Sequence, residues 1–100
     1  MNRKDLARIK IDRAIKISEP YEALNENSLR NIFNCLINAL KLIPKDDIEK
    51  EELLAHLENM HSQEYKLCGG VFVAETEKLP IRIDKFLLKE LIWRAHSLLF

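Results

Sequence analysis

Three histidines, His56, His61 and His96, and two cysteines, Cys35 and Cys68, are the residues of this sequence best suited to hold a metal or move a proton. On a helix, Glu52 and His56 stand four apart and His61 and Glu64 three apart, so each pair shares a face. Helical metal sites use such spacings, but they need further ligands. No second histidine and no cysteine stands at ligand spacing from either pair. Glu52 and His56 therefore read as an exposed helical pair, and His61 as a residue at the edge of a core. Arg94 and His96 are parted only by Ala95, so they leave a helix on different faces, which does not suit paired ribonuclease chemistry. A cysteine nucleophile requires a base held against it, and nothing in the sequence sets one beside Cys35 or Cys68. Gly69-Gly70 lacks the wider glycine spacing and the following Lys-Ser/Thr of a phosphate loop. No catalytic residue, metal ligand or cofactor site is assigned, and the chain is not expected to be an enzyme.

The patterns that remain suit binding. Residues 44–66 hold seven acids (Asp46, Asp47, Glu49, Glu51, Glu52, Glu58, Glu64) against three lysines, net −4. Residues 1–17 hold six bases (Arg3, Lys4, Arg8, Lys10, Arg13, Lys16) against two acids, net +4. The two segments either neutralise each other within the fold or form separate acidic and basic surfaces. Phe86, Trp93 and Phe100 recur every seven residues near the end of the chain and form an aromatic stripe. The simpler expectation is that this stripe packs on Val71, Phe72, Val73 and the first helix, completing one core. The alternative is an interface, because exposed aromatic patches mark partner sites.

The elements that position these residues follow from periodicity. One hundred residues, 47% apolar and 32% charged with only two glycines and three prolines, suit a single helical domain spanning residues 1–100. A first helix spans residues 3–17, with Leu6, Ala7, Ile11, Ala14, Ile15 and Ile17 on its apolar side and Ile9 breaking the polar side. Glu19-Pro20 ends it. A second helix, capped by Asn25 or Asn27, presents Leu29, Ile32, Phe33, Leu36, Ile37, Ala39, Leu40 and Ile43 as one broad face and stops at Pro44.

Asp46 and Glu49 have capping-box spacing before a third helix from about Asp47 to Tyr65, its stripe running through Leu53, Leu54, Leu57, Met60, His61 and Tyr65. The Cys68-Gly69-Gly70 break would stop that helix. Residues 71–74 and 79–83 then form a short hairpin or an extended loop, with Pro80 confining the second run to an edge. The last helix starts at the cap Asp84, and Leu87, Leu88, Leu91, Ile92, Ala95, Leu98 and Leu99 form its core face. The expected fold is mainly α, a compact bundle of about four helices with this hairpin between the third and fourth.

Zero net charge argues against a global attraction to nucleic acid or anionic membrane. No run approaches the ~18 apolar residues of a membrane span, and the charged N-terminal segment lacks a signal region. The expectation is a cytoplasmic, stoichiometric protein-binding module of the inhibitor, immunity-protein or antitoxin kind. It would block a basic partner such as a nuclease toxin through Asp46, Asp47, Glu49, Glu51, Glu52 and Glu58, with Phe86, Trp93 and Phe100 as further contacts. The alternatives are a nucleic-acid-associated regulator using the basic first helix, and an adaptor or chaperone that forms a helical homodimer.

Overall fold

The computed structural model describes residues 2–44 and 47–100. It contains helices α1 (Arg3–Ser18), α2 (Glu26–Leu42), α3 (Ile48–His61) and α4 (Lys85–Ser97), with strands β1 (Lys66–Cys68), β2 (Val71–Ala74) and β3 (Ile81–Ile83) between α3 and α4. The fold is therefore mainly α with a small sheet. Each helix starts on a side-chain cap that accepts a backbone N–H: Asn2 from Asp5, Asn25 from Ser28, Asp47 from Lys50 and Asp84 from Leu87. Each cap satisfies one of the donors that a helix start leaves without an intrahelical acceptor. The cap of α3 is thus Asp47, one residue later than the Asp46 expected from spacing; Asp46 itself lies outside the described residues.

The core is organised on α2. Leu29, Ile32, Phe33, Leu36, Ile37, Ala39, Leu40 and Ile43 are all buried, the broad face anticipated from their period. α1 packs most extensively against α2, through the narrow stripe Ala7, Ile11 and Ala14. Small residues at the contact permit a close interaxial approach. The same narrowness leaves Leu6 exposed, although its spacing assigned it to the apolar face. α3 adds Leu53, Leu57 and Met60, and α4 adds Leu88, Leu91, Ile92 and Ala95, followed by Leu98 and Leu99. All of these belong to one apolar cluster.

The region after α3 differs from the sequence reading. The helix stops at His61, four residues short of Tyr65: Ser62 is its C-cap, a bend follows, and Tyr65 is buried just ahead of β1. There the Tyr65 hydroxyl donates to the Met60 carbonyl at 2.7 Å and its ring lies 6.2 Å from Phe33. Gly69-Gly70 is accordingly not a helix stop. It is the two-residue turn of a hairpin in which Cys68 pairs with Val71, and both glycines hold positive φ, 56° and 80°. Turns of that type match the natural twist of paired strands and favour glycine at both positions.

The sheet has the order β1-β2-β3 and is antiparallel throughout. Phe72 and Ala74 of β2 and Ile83 of β3 are buried. Leu67 pairs with Phe72, so it shares that face, but it sits on the edge strand beyond the core and stays exposed. β3 is the other edge, and it starts at Ile81, shorter than the run 79–83: Pro80, which has no N–H to donate, and Leu79, 78% exposed, lie outside it. Tyr21, in the 3-10 turn Tyr21–Ala23, ties the α1–α2 connection to the sheet. Its hydroxyl donates to the Gly70 carbonyl at 2.9 Å and its ring meets Phe72 edge-on at 6.4 Å.

Two outcomes follow. Ala at Gly70 would force an L residue into the left-handed region, at a cost of about 1 kcal/mol, although its Cβ would meet nothing within 4 Å. A lowered urea midpoint would register this, and Gly69→Asn should cost less, because Asn tolerates that region. Burial pushes the Tyr65 phenol up to about 12, against a smaller opposing pull from Arg30. The folded state then holds its proton where the unfolded chain loses it, so this contribution is complete below pH 10 and is lost as pH rises from 10 to 12. Stability measured across that window should fall more steeply for wild type than for Tyr65→Phe.

Candidate functional site

α4 is apolar on two sides, and only one of them is core. Its aliphatic side is buried, whereas Phe86, Trp93 and Phe100 are exposed by 78%, 66% and 74%. The expectation that this stripe packs on the sheet and α1 is therefore overturned. The reason is geometric: the sheet contributes three strands of three or four residues, and Phe72 and Ala74 are already committed to the core. Nothing in so small a fold is left to form a second layer over α4.

The aromatic residues are organised among themselves. Trp93 and His96 stack nearly parallel, with ring centroids 5.3 Å apart and planes 3° from parallel, and His96 meets Phe100 at 5.5 Å. The spacing that produces this is helical: Trp93 and His96 are three residues apart, and His96 and Phe100 four. After Ser97 the chain tightens into i→i−3 bonds, from the N–H of Leu98 to Ala95, of Leu99 to His96 and of Phe100 to Ser97. The helix thus ends before Phe100, yet Phe100 stays in contact with the ridge. Fully exposed aromatic side chains present 150–250 Å² each, so the three expose on the order of 450 Å² together. That is within the range of the largest apolar patch on a typical monomer, about 300–600 Å², a patch that often serves function.

Grooves run along both flanks of the ridge. On one side Trp93, Arg94, Ser97 and Leu98 face Glu49 and Glu52 of α3. On the other, Lys85, Lys89, Ile92 and Trp93 face Ile15, Ser18 and Glu19 at the end of α1. Toward the hairpin, Phe86 and Lys85 line a third groove with Tyr21, Leu67 and Gly70. The structure therefore joins two features that were separate in the sequence, the Trp93 stripe and part of the acidic helix.

The remaining acids are distributed differently. Glu51 and Glu58 lie on the side of α3 away from Glu49, and Glu58 is 3.8 Å from Lys41 of α2, both side chains more than half exposed. Such a surface pair contributes at most about 1 kcal/mol. Asp47 is the helix cap. Among the described residues no ion pair joins Glu49, Glu51, Glu52 or Glu58 to the six bases of α1; Glu58 pairs instead with Lys41 of α2. Ile48, which spacing did not single out, is 74% exposed and stands between Glu51 and Glu52 around the helix.

The residues considered for chemistry stay apart. Cys35 is half-buried, Cys68 is exposed, and both are free thiols. His56 is exposed, and half-buried His61 lines a narrow cleft with Arg30, Phe33 and Tyr65. Among the described residues no three His, Cys, Asp or Glu side chains come together as a metal-binding group, and no helix is long and apolar enough to cross a membrane. Comparison with known protein families, curated proteins and solved structures finds no match to this chain.

Because Trp93 is exposed, Trp93→Ala should change folding stability by less than about 0.5 kcal/mol, although it removes the largest side chain of the protein. Leu91→Ala, two residues away and fully buried, should cost about 2–5 kcal/mol. Thermal denaturation of the two variants checks the contrast.

Proposed function

We propose that the protein is a cytoplasmic binding module that acts by occupying a basic protein partner, in the manner of an inhibitor, immunity protein or antitoxin directed at a nuclease. The observation that supports this reading is the state of the acids on α3. Glu49, Glu51, Glu52 and Glu58 are exposed, and none is consumed by the basic helix α1. A surface of one sign steers an oppositely charged partner and suppresses wrong ones. Ile48 gives that surface an apolar contact with polar residues around it, as interfaces have an apolar centre and a polar rim. Free thiols at Cys35 and Cys68 suit a reducing compartment.

The nucleic-acid alternative finds less support. The bases of α1 spread around the helix, and no aromatic residue stands among them for stacking.

The reading is tested by affinity capture from the native host with wild type and with Glu51→Lys/Glu58→Lys, which leaves the ridge untouched. Wild type should retain a basic protein in a defined ratio, and the double reversal should weaken that retention by about tenfold or more. Equal retention by both proteins would contradict the reading, as would capture of partners without basic character.

A further inference from the structure

We infer that α1 docks this protein on anionic lipid surfaces through one basic, partly apolar flank. At 100° per residue, Lys16, Ile9, Arg13, Leu6, Lys10 and Arg3 follow one another around an arc of about 140° that holds no acid. Leu6 and Ile9 are 39% and 44% exposed. Arg3, Arg13 and Lys16 are exposed and Lys10 is half-buried. Aliphatic side chains set among bases on a folded helix are the pattern of an interfacial helix. The aliphatic groups sink toward the acyl boundary and the bases lie among the phosphates.

The chain as a whole is neutral, so the neighbouring charges decide whether this flank acts as a basic surface. Asp5 and Asp12 lie past Lys16, on the side of α1 away from α2, and counting both still leaves the flank at +2. α2 borders the other edge and carries one acid, Glu26, which lines the cleft of His61 and Tyr65. Glu19 and Glu22 line the grooves toward α4 and the hairpin, and Asp47 caps α3. The acids of α3 stand beyond α2, two helix spacings or about 18 Å from α1. That is more than twice the ~8 Å over which exposed charges act at physiological salt. Arg3 donates to the Lys41 carbonyl, and among the described residues no ion pair involves any of the four bases.

Lipid suits the flank better than nucleic acid does. Phosphate contacts would use the bases but give Leu6 and Ile9 nothing to bury against, and no aromatic side chain stands among them to stack on a base. None of the grooves described above is lined by these residues, and a fluid lipid surface needs no groove to enter. Each base near an anionic surface strengthens partitioning about fivefold. The inference is independent of the basic-partner reading, which rests on the acids of α3.

Co-sedimentation of the full chain with vesicles tests the docking, using phosphatidylcholine alone or with about 30% phosphatidylserine at about 100 mM salt. Wild type should bind the anionic vesicles and leave the neutral ones unbound. Arg13→Gln/Lys16→Gln should weaken binding about 25-fold. Lys4→Gln/Arg8→Gln removes the same charge from the other side of α1 and should weaken it by less than about fivefold. Leu6→Asn/Ile9→Asn keeps every base and should weaken it about tenfold. Circular dichroism confirms that each variant is folded before binding is read. No preference for anionic vesicles would overturn the inference, and so would equal losses from the two charge variants. Binding that Leu6→Asn/Ile9→Asn leaves unchanged would overturn it too, since the flank would then be a general polyanion contact from which a DNA duplex displaces the vesicles.

Discussion

The broad apolar face of α2 is the constraint on which the rest of the structure depends. Eight buried side chains from Leu29 to Ile43 cover far more than one neighbouring helix can occupy. α1 takes one part with its narrow alanine-rich stripe, and α3 and α4 take the remainder. Close-packed interiors tolerate few voids, so each covering helix is fixed by what it must fill. The aliphatic side of α4 is thereby committed to the core, and its aromatic side is turned outward.

This division explains how a helix that is apolar on two sides exists in a chain of this size. In a larger protein both sides would be buried within one chain. Here the short sheet is held over Phe72 and Ile83, tethered by Tyr21, and reaches only the N-terminal end of α4, where Leu67 and Phe86 share a groove. The remaining ridge is open, flanked by acid on one side and base on the other. The acids that face away from it, Glu51 and Glu58, offer a second surface with a different charge character, so one small fold presents two distinct faces.

Much of the fold was legible in the sequence because helical period and caps are local. The face of α2 and the cap Asp84 follow from residue type and spacing. The choice of Asn25 over Asn27 as the cap of α2, and of paired strands over an extended loop for Val71–Ala74 and Ile81–Ile83, was left open by spacing and is made by the fold. The end of α3 was not legible: Tyr65 falls on the helical stripe by spacing, and only its tertiary contact with Phe33 shows that it returns from a turn. Gly69-Gly70 suits a helix stop for the same reason, although two glycines between short apolar runs also signal the hairpin that forms. The aromatic stripe was visible, but its exposure was not, because period reports which residues share a face and not what lies opposite. The groove that Trp93 shares with Glu49 and Glu52 brings together residues some forty positions apart in the chain, and no local pattern encodes that.

The central claim is that Trp93 lies on an open face of the fold, outside the core that α2 organises. The chain has a single tryptophan, so acrylamide quenching of its fluorescence in dilute folded protein reads this directly. The account predicts ready quenching, little different from that of the unfolded chain. A Trp93 shielded from acrylamide in the dilute folded protein would contradict it, because the stripe would then be packed within the fold.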